Sequence, residues 1–395
     1  MVGVARRAVV AAGLVGVVVA VLAVLVDFTN FIDLRVYRAG GRAWIDGYSL
    51  YSNEFVRRSG VGLPFTYPPI SAILFTTLAV VPMGFAIAVI TAASVAALGV
   101  VARIVLSYPR LAVLAGLAGA MLLEPVRLTL SYGQINILLM ALVVADCLLP
   151  RTPWPRGALI GVAAAIKLTP AVFVLFFVAH RQWRPVGAAI GGFLTATALA
   201  WIATADDTLA YLWTVIADPG RLGGLTYTAN QSLNGFWHRF GLDGASTTIM
   251  WLLSAIAVVA LGWRAVRDAR AAGDDLAALV AAAAVGLLVS PVSWSHHWVW
   301  AAVAGMWLLP RLREWQWPAR VAVVAGLLLF VAPPHWVLPR KHDNELSWAP
   351  WQHVVGNEFV WCALALLVAL AVRWRARADA PPVVQQAAAS PPPET

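Results

Sequence analysis

The chain has 395 residues, 61% of them hydrophobic and 12% charged, whereas soluble domains carry roughly 45–50% apolar and about 25% charged residues. A polytopic membrane protein is indicated and a soluble globular enzyme disfavoured. The formal charge of +9 sits largely in short breaks between apolar runs, which is how topology is written and not how nucleic acid is bound. Cys147 and Cys362 both lie in apolar runs, so neither a disulfide framework nor a cysteine metal site is indicated.

In chain order, Arg6 and Arg7 precede an apolar run over 8–26. It is longer than a signal-peptide core and reads as a retained anchor. A polar outer loop is predicted over 27–83, with a surface-lying or re-entrant helix over 70–81, too short to span. Further apolar runs cover 84–102, 111–123, 133–149, 157–168, 170–179, 185–204, 247–264, 276–290, 296–309, 321–332 and 357–372. Lys167-Leu-Thr-Pro170 breaks one of them. Proline and its restricted predecessor favour two short helices meeting at a non-helical turn, with one kinked helix as the alternative.

Charge decides between these. With the split there are about twelve crossings, and the arginines at 103/110, 151/156, 181/184, 264/267/270, 311/313/320 and 373/375/377 share the side of Arg6 and Arg7, as the positive-inside rule asks. The predicted fold is all-α and polytopic, with short loop helices on the outer face. Residues 1–377 form a single domain whose second long outer loop is 205–246, and 378–395 is a Pro/Ala-rich cytoplasmic extension that cannot bury enough apolar surface to fold.

This topology gathers the motif-like pieces on one face. Asp33 lies just outside the first span, where an acid is a functional candidate; the plainer alternative is a solvated helix-end acid or a partner for Arg35 or Arg38. Arg38 could serve a phosphate, and Tyr37 and Tyr67 a sugar face. Gln134 and Asn136 open a helix, where amides and free backbone donors can hold hydroxyls. Lys167, between two half-helices, needs an anionic partner or water; a lipid phosphate would serve, and so would Glu124. Asn230, Gln231, Asn234 and Trp237 alternate amide with aromatic, as a saccharide site would. Trp294, His296 and His297 follow Ser290-Pro-Val-Ser293. Adjacent histidines at a helix end are poor joint ligands of one metal, so no metal and no cofactor is expected. A histidine of ordinary pKa suits general-base or phosphate-contact work.

Six segments together resemble the actinobacterial GT-C glycosyltransferases that use polyprenol-phosphate-mannose. They are Asp33-Leu-x-Val-Tyr, Phe65-x-Tyr-Pro-Pro, Tyr132-Gly-Gln-x-Asn, Ile166-Lys-Leu-Thr-Pro, Asn230-Gln-Ser-x-x-Gly and Ser290-Pro-x-Ser-Trp-x-x-His. Among that family, the chain is similar to α-mannosyltransferases such as the one extending phosphatidylinositol mannosides with an α-1,2-linked mannose. The resemblance implies a GT-C-like fold and an inverting transfer from polyprenyl-phosphate-mannose to a mannolipid on the outer face of the plasma membrane. It places an essential acid at Asp33, while the twelve crossings put both termini in the cytoplasm. Either Asp33 or His297 is then the base, with Lys167, Arg38 and His296 toward the donor phosphate. No nucleic acid and no obligate protein partner are expected.

Rival readings are a transferase branching lipomannan or lipoarabinomannan or using another prenyl-phosphate sugar, and a lipid-linked-sugar flippase. A transporter needs polar groups at the midplane of a two-sided path. The polar groups here fall on one face.

Overall fold

The computed structural model describes residues 30–106, 109–216, 218–340 and 342–378. The expected anchor over 8–26 and the tail beyond 378 lie outside the described residues. Among these the protein is all-helical, and the sole β pairing is an isolated antiparallel bridge between Asn230 and Trp294.

In chain order the helices are α1 (Ile32–Asp46), α2 (Asn53–Ser59), α3 (Pro69–Ala79), α4 (Met83–Val105), α5 (Arg110–Leu122), α6 (Glu124–Tyr132), α7 (Asn136–Leu148), α8 (Ala158–Ile166), α9 (Val174–Val178), α10 (Trp183–Ala203), α11 (Ala205–Ala210), α12 (Leu233–His238), α13 (Gly244–Ala271), α14 (Asp275–Val289), α15 (Trp300–Leu308), α16 (Trp317–Val331), α17 (Pro350–Val355) and α18 (Glu358–Ala378). Three of them, α4, α10 and α13, are long and apolar enough to cross a membrane unaided, and the α5–α6 pair makes a fourth candidate, bent by 75°. A large apolar core joins the bundle helices, and a second, aromatic-rich core is built from α1–α3 with contributions from α7, α8 and residues 211–215.

Two local features position the site. First, α1 and α3 pack backbone to backbone. A Cβ on Gly41 would lie 2.6 Å from the Phe75 carbonyl oxygen, so only glycine permits this approach. Second, the chain breaks at Lys167, as two helices and not as one kinked one. Helix α8 ends at Ile166, Lys167 is extended (φ −151°, ψ 125°), and a 3-10 turn over Thr169–Phe173 leads into α9. The freed Ile166 carbonyl accepts a hydrogen bond from Ser71 Oγ of α3 at 2.7 Å, so the break is braced by the outer-loop helices.

The histidine pair departs from expectation. The helix foreseen over 296–309 begins only at Trp300, and both histidines lie in a preceding 3-10 turn, Ser295–His297. Pro291 and the Ser293 contacts described below hold this stretch out of helical geometry.

Candidate active site

A cavity of about 740 Å³ collects residues from widely separated parts of the chain. Asp33, Tyr67, Gln134, Lys167, Trp294, His296 and His297 all line it. They come from helix ends, loops and breaks, Trp294, His296 and His297 together from one 3-10 turn and its N-cap.

The floor is a ring of hydrogen bonds. Tyr37 Oη donates to Gln134 Oε1. Gln134 Nε2 donates to Tyr67 Oη at 2.8 Å. Tyr37 and Tyr67 hydroxyls are 2.9 Å apart, and since the Tyr37 proton is engaged, Tyr67 donates across that contact. Tyr37 is fully buried behind Tyr67 and stacks on Phe75 at 4.3 Å. It therefore supports the cavity and does not face it. Gln134 is fixed by the left-handed turn at Gly133 (φ 66°), where a Cβ would meet that of Leu34 at 2.8 Å. Gln134 also hydrogen-bonds Asp33, so the amide links the ring to the acid.

Asp33 and Lys167 form the electrostatic centre. Burial raises the Asp33 carboxyl to about 6, against the opposing pull of the Lys167 charge and the Gln134 hydrogen bond. Burial lowers Lys167, while Asp33 pulls it back toward the charged form. Lys167 Nζ donates to Asn136 Oδ1 at 2.8 Å, lies 3.3 Å from His297 Nε2, and sits 5.4 Å above the Tyr67 ring. The expected alternative partner, Glu124, is engaged elsewhere. Its Oε1 accepts from Ser295 Oγ at 2.8 Å and from Trp336 Nε1 at 2.9 Å.

An ammonium donates only, so the 3.3 Å contact places the lone pair of His297 on Nε2 and its proton on Nδ1. Burial first, then the Lys167 charge, hold both histidines well below their ordinary pKa. His297 is thus a neutral ring whose basic nitrogen is already committed to the lysine. The His296 carbonyl is clamped by Thr129 Oγ1 at 2.8 Å and Asn136 Nδ2 at 3.0 Å. Asn136 therefore orients both the histidine turn and Lys167.

Residues 65–291 match Glycosyltransferase family 87. Over 373 residues the chain is 40% identical to the polyprenol-phosphate-mannose-dependent α-(1-2)-phosphatidylinositol mannoside mannosyltransferase of Mycolicibacterium smegmatis, covering 86% of this chain and 83% of that protein. Identity to the like-named protein of Mycobacterium tuberculosis is 34%, covering 88% and 86%. A polyprenol-phosphate-mannose-dependent α-(1-2)-phosphatidylinositol pentamannoside mannosyltransferase of M. smegmatis is also 34% identical, covering 83% of each chain. The chain belongs to glycosyltransferase family 87. No solved structure matches it.

For this family 87 membrane protein the remaining expected contacts fall away from the cavity. Arg38 is turned aside: its Nη1 donates to the carbonyls of Leu78 and, at 2.7 Å, Val81. It caps the end of α3 and is not free for a phosphate. Asn230, Gln231 and Asn234 are buried and hold backbone, not sugar. Asn230 Oδ1 accepts from Ser293 N at 3.0 Å, Gln231 Nε2 donates to Thr228 and Gly356 carbonyls at 2.8 Å each, and Asn234 Nδ2 donates to the Pro291 carbonyl at 3.1 Å. Trp237 donates to Ser254 Oγ of α13 at 3.1 Å.

Other cavity residues carried no motif. Trp336 forms a wall with Tyr227 and Trp294, their rings 6.2–6.4 Å from that of Tyr227. Arg221 also lines the cavity, its Nη2 donating to the Tyr51 carbonyl at 3.0 Å. Trp336 is fixed by Glu124 more than two hundred residues earlier in the chain, a pairing no local pattern announces.

Proposed function

We propose that the protein moves mannose from polyprenyl-phosphate-mannose to a phosphatidylinositol mannoside in α-1,2 linkage, with inversion, on the extracytoplasmic face of the plasma membrane. The observation that carries this is the pairing of a carboxylate of raised pKa with a lysine on one cavity of a family 87 chain. Asp33 takes the proton of the acceptor hydroxyl as its oxygen attacks the anomeric carbon. The bond that breaks joins that carbon to the phosphate oxygen. The departing phosphate gains negative charge, which Lys167 stabilises as a point cation. The commitment of His297 Nε2 to Lys167 supports Asp33 as the base and gives the histidine the task of holding the lysine. Tyr67, the aromatic wall and Gln134 present faces and an amide to the sugars.

The fuller architecture goes with this reading: about twelve crossings, a single domain over 1–377 with outer loops 27–83 and 205–246, and both termini cytoplasmic. Among the described residues, none of the arginines assigned to the inner loops lines the cavity, which supports that division of faces.

Purified protein with radiolabelled polyprenyl-phosphate-mannose and a series of phosphatidylinositol mannosides tests the proposal. The expected product is a mannolipid one α-1,2-linked mannose longer. Intact donor after incubation with every acceptor in the series would refute it.

A further inference from the structure

A donor of this kind carries its hydrocarbon chain directly on the phosphate. The acceptor differs, because its acyl chains lie beyond inositol and further sugars. Resting on the donor reading above, the prenyl chain must therefore leave the cavity within a few bonds of the phosphate and its partner Lys167, whereas the acceptor's lipid need not.

Four voids compete for that chain. The groove of about 750 Å³ between α14, α15, α16 and α18 shares no lining residue with the cavity. A small hollow of about 50 Å³ shares Lys167, Thr169 and His297 with the cavity, but it runs into the bundle interior, where the tilted Phe173 and Trp300 rings lie 4.4 Å apart. A third void, about 570 Å³ between α6 and the Val331–Val337 stretch, meets the cavity only at Trp336, beside the Glu124 carboxylate. The fourth is a narrow slot of about 30 Å³ between α3, α8, α10 and residues 211–216, which a chain enters only when its walls part. It shares Pro68, Leu168, Tyr211 and Ile216 with the cavity, and Leu168 directly follows Lys167.

The slot has the chemistry of a passage to lipid. Ala165, Phe193 and Ala200 line its inner part, with no charged residue among its walls. Helix α10 is peripheral, with only Ala189 and Ala200 buried. Residues 211–215 form a π-helical turn, a form enriched at functional sites. The turn is two-sided: Tyr211 and Val215 are buried against the cavity, while Trp213 is 78% exposed, as is Ile202 of α10 at 81%. Its base is braced, since Asp207 accepts from Ser49 Oγ at 2.9 Å and from the Leu50 amide at 3.1 Å. Only the first isoprene units need protein contact, because the rest of the chain stays in the bilayer.

We infer that this slot beside Leu168 is the exit for the donor's prenyl chain, with Tyr211 and Ile216 at its mouth and α10 as its far wall. Thr197→Trp and, separately, Ala200→Phe fill it without touching the cavity. In the full-length protein, KM for the long-chain donor should rise about tenfold, as expected when contact worth a pair of buried methylenes is lost. KM for a short-chain prenyl-phosphate-mannose and for the acceptor should hold. An equal rise for both donors, or none for the long-chain one in either variant, overturns the slot. A donor bearing a photoreactive group near its phosphate end should mark peptides within 193–216. Marking of 298–330 or 331–337 overturns it too. Wild-type protein that transfers mannose from neither donor removes the underlying donor reading, whereas transfer indifferent to the fillings removes the slot alone.

Discussion

Two parts of this chain are written in nearly the same residues. Tyr132-Gly-Gln134-x-Asn136 and Asn230-Gln231-Ser-x-Asn234-Gly both join amides to aromatics and a glycine. The first ends in a cavity: Gln134 reaches it through a ring of hydroxyls and an acid, and Asn136 sets the lysine. The second is a buried knot. Its amides tie the Ser290–Ser293 turn to the loop before α12, and Arg239 closes the knot on the Asn230 carbonyl and Asn357. Composition does not separate a site from a scaffold. What separates them is whether the amide's partners are side chains facing open space or backbone groups with no other partner.

The sharpest break in that comparison is Asp33→Asn. The change keeps shape and removes the acceptor-only carboxylate. Turnover should fall by ~10²–10⁴, with thermal stability of the detergent-solubilised protein nearly unchanged. Loss of folding in place of turnover would make Asp33 part of the scaffold. The pH dependence follows from its raised pKa. The base works as the carboxylate, so turnover is full well above a midpoint of about 6 and declines as pH falls through it.

Next in size is Lys167→Ala. Losing a charge-assisted contact to phosphate, about 1.5–3 kcal/mol, should raise donor KM by roughly tenfold to a hundredfold and spare acceptor KM. Lys167→Arg should recover part of this, since charge survives while the point geometry does not. An unchanged donor KM would leave the lysine a purely structural partner of Asn136.

On the other side of the comparison stands Asn230→Ala. It strands the Ser293 amide and should cost about 1–3 kcal/mol of stability, read as a lower unfolding temperature. Turnover per folded molecule and both KM values should stay within about twofold of wild type, less than the smallest free-energy loss just given would produce. A selective rise in acceptor KM would return Asn230 to the sugar site.

How much of this was legible beforehand follows from the same distinction. The apolar runs and the break at Lys167 were readable, because hydropathy and proline act locally. Asp33, Tyr67, Gln134, Lys167, Trp294 and the histidines were singled out, and they share one cavity. Arg38 misled because an arginine beside an acid looks free in one dimension, and only folding brings the α3 carbonyls to it. Trp336, Tyr227 and Arg221 were invisible because their places depend on contacts across most of the chain, such as Glu124 with Trp336.

The smallest effect concerns His297 and decides how the two sides of the cavity divide the work. Were it the base, His297→Ala would abolish turnover and remove an ionisation near its ordinary pKa of about 6.5. The geometry argues otherwise. Nε2 faces the Lys167 ammonium at 3.3 Å, and burial beside that charge keeps the ring neutral far below its ordinary range. A ring so placed cannot collect an acceptor proton without first releasing the lysine and then charging next to it. His297→Ala should therefore cost only a few-fold in donor KM, through a less well-held lysine, comparable to one neutral hydrogen bond of about 1 kcal/mol. The low-pH limb of the profile, set by Asp33, should remain. Turnover measured against pH in this variant and in Asp33→Asn separates the cases: the limb should vanish with the aspartate and persist without the histidine. If it moves with His297 instead, the base is the histidine and Asp33 holds the acceptor hydroxyl.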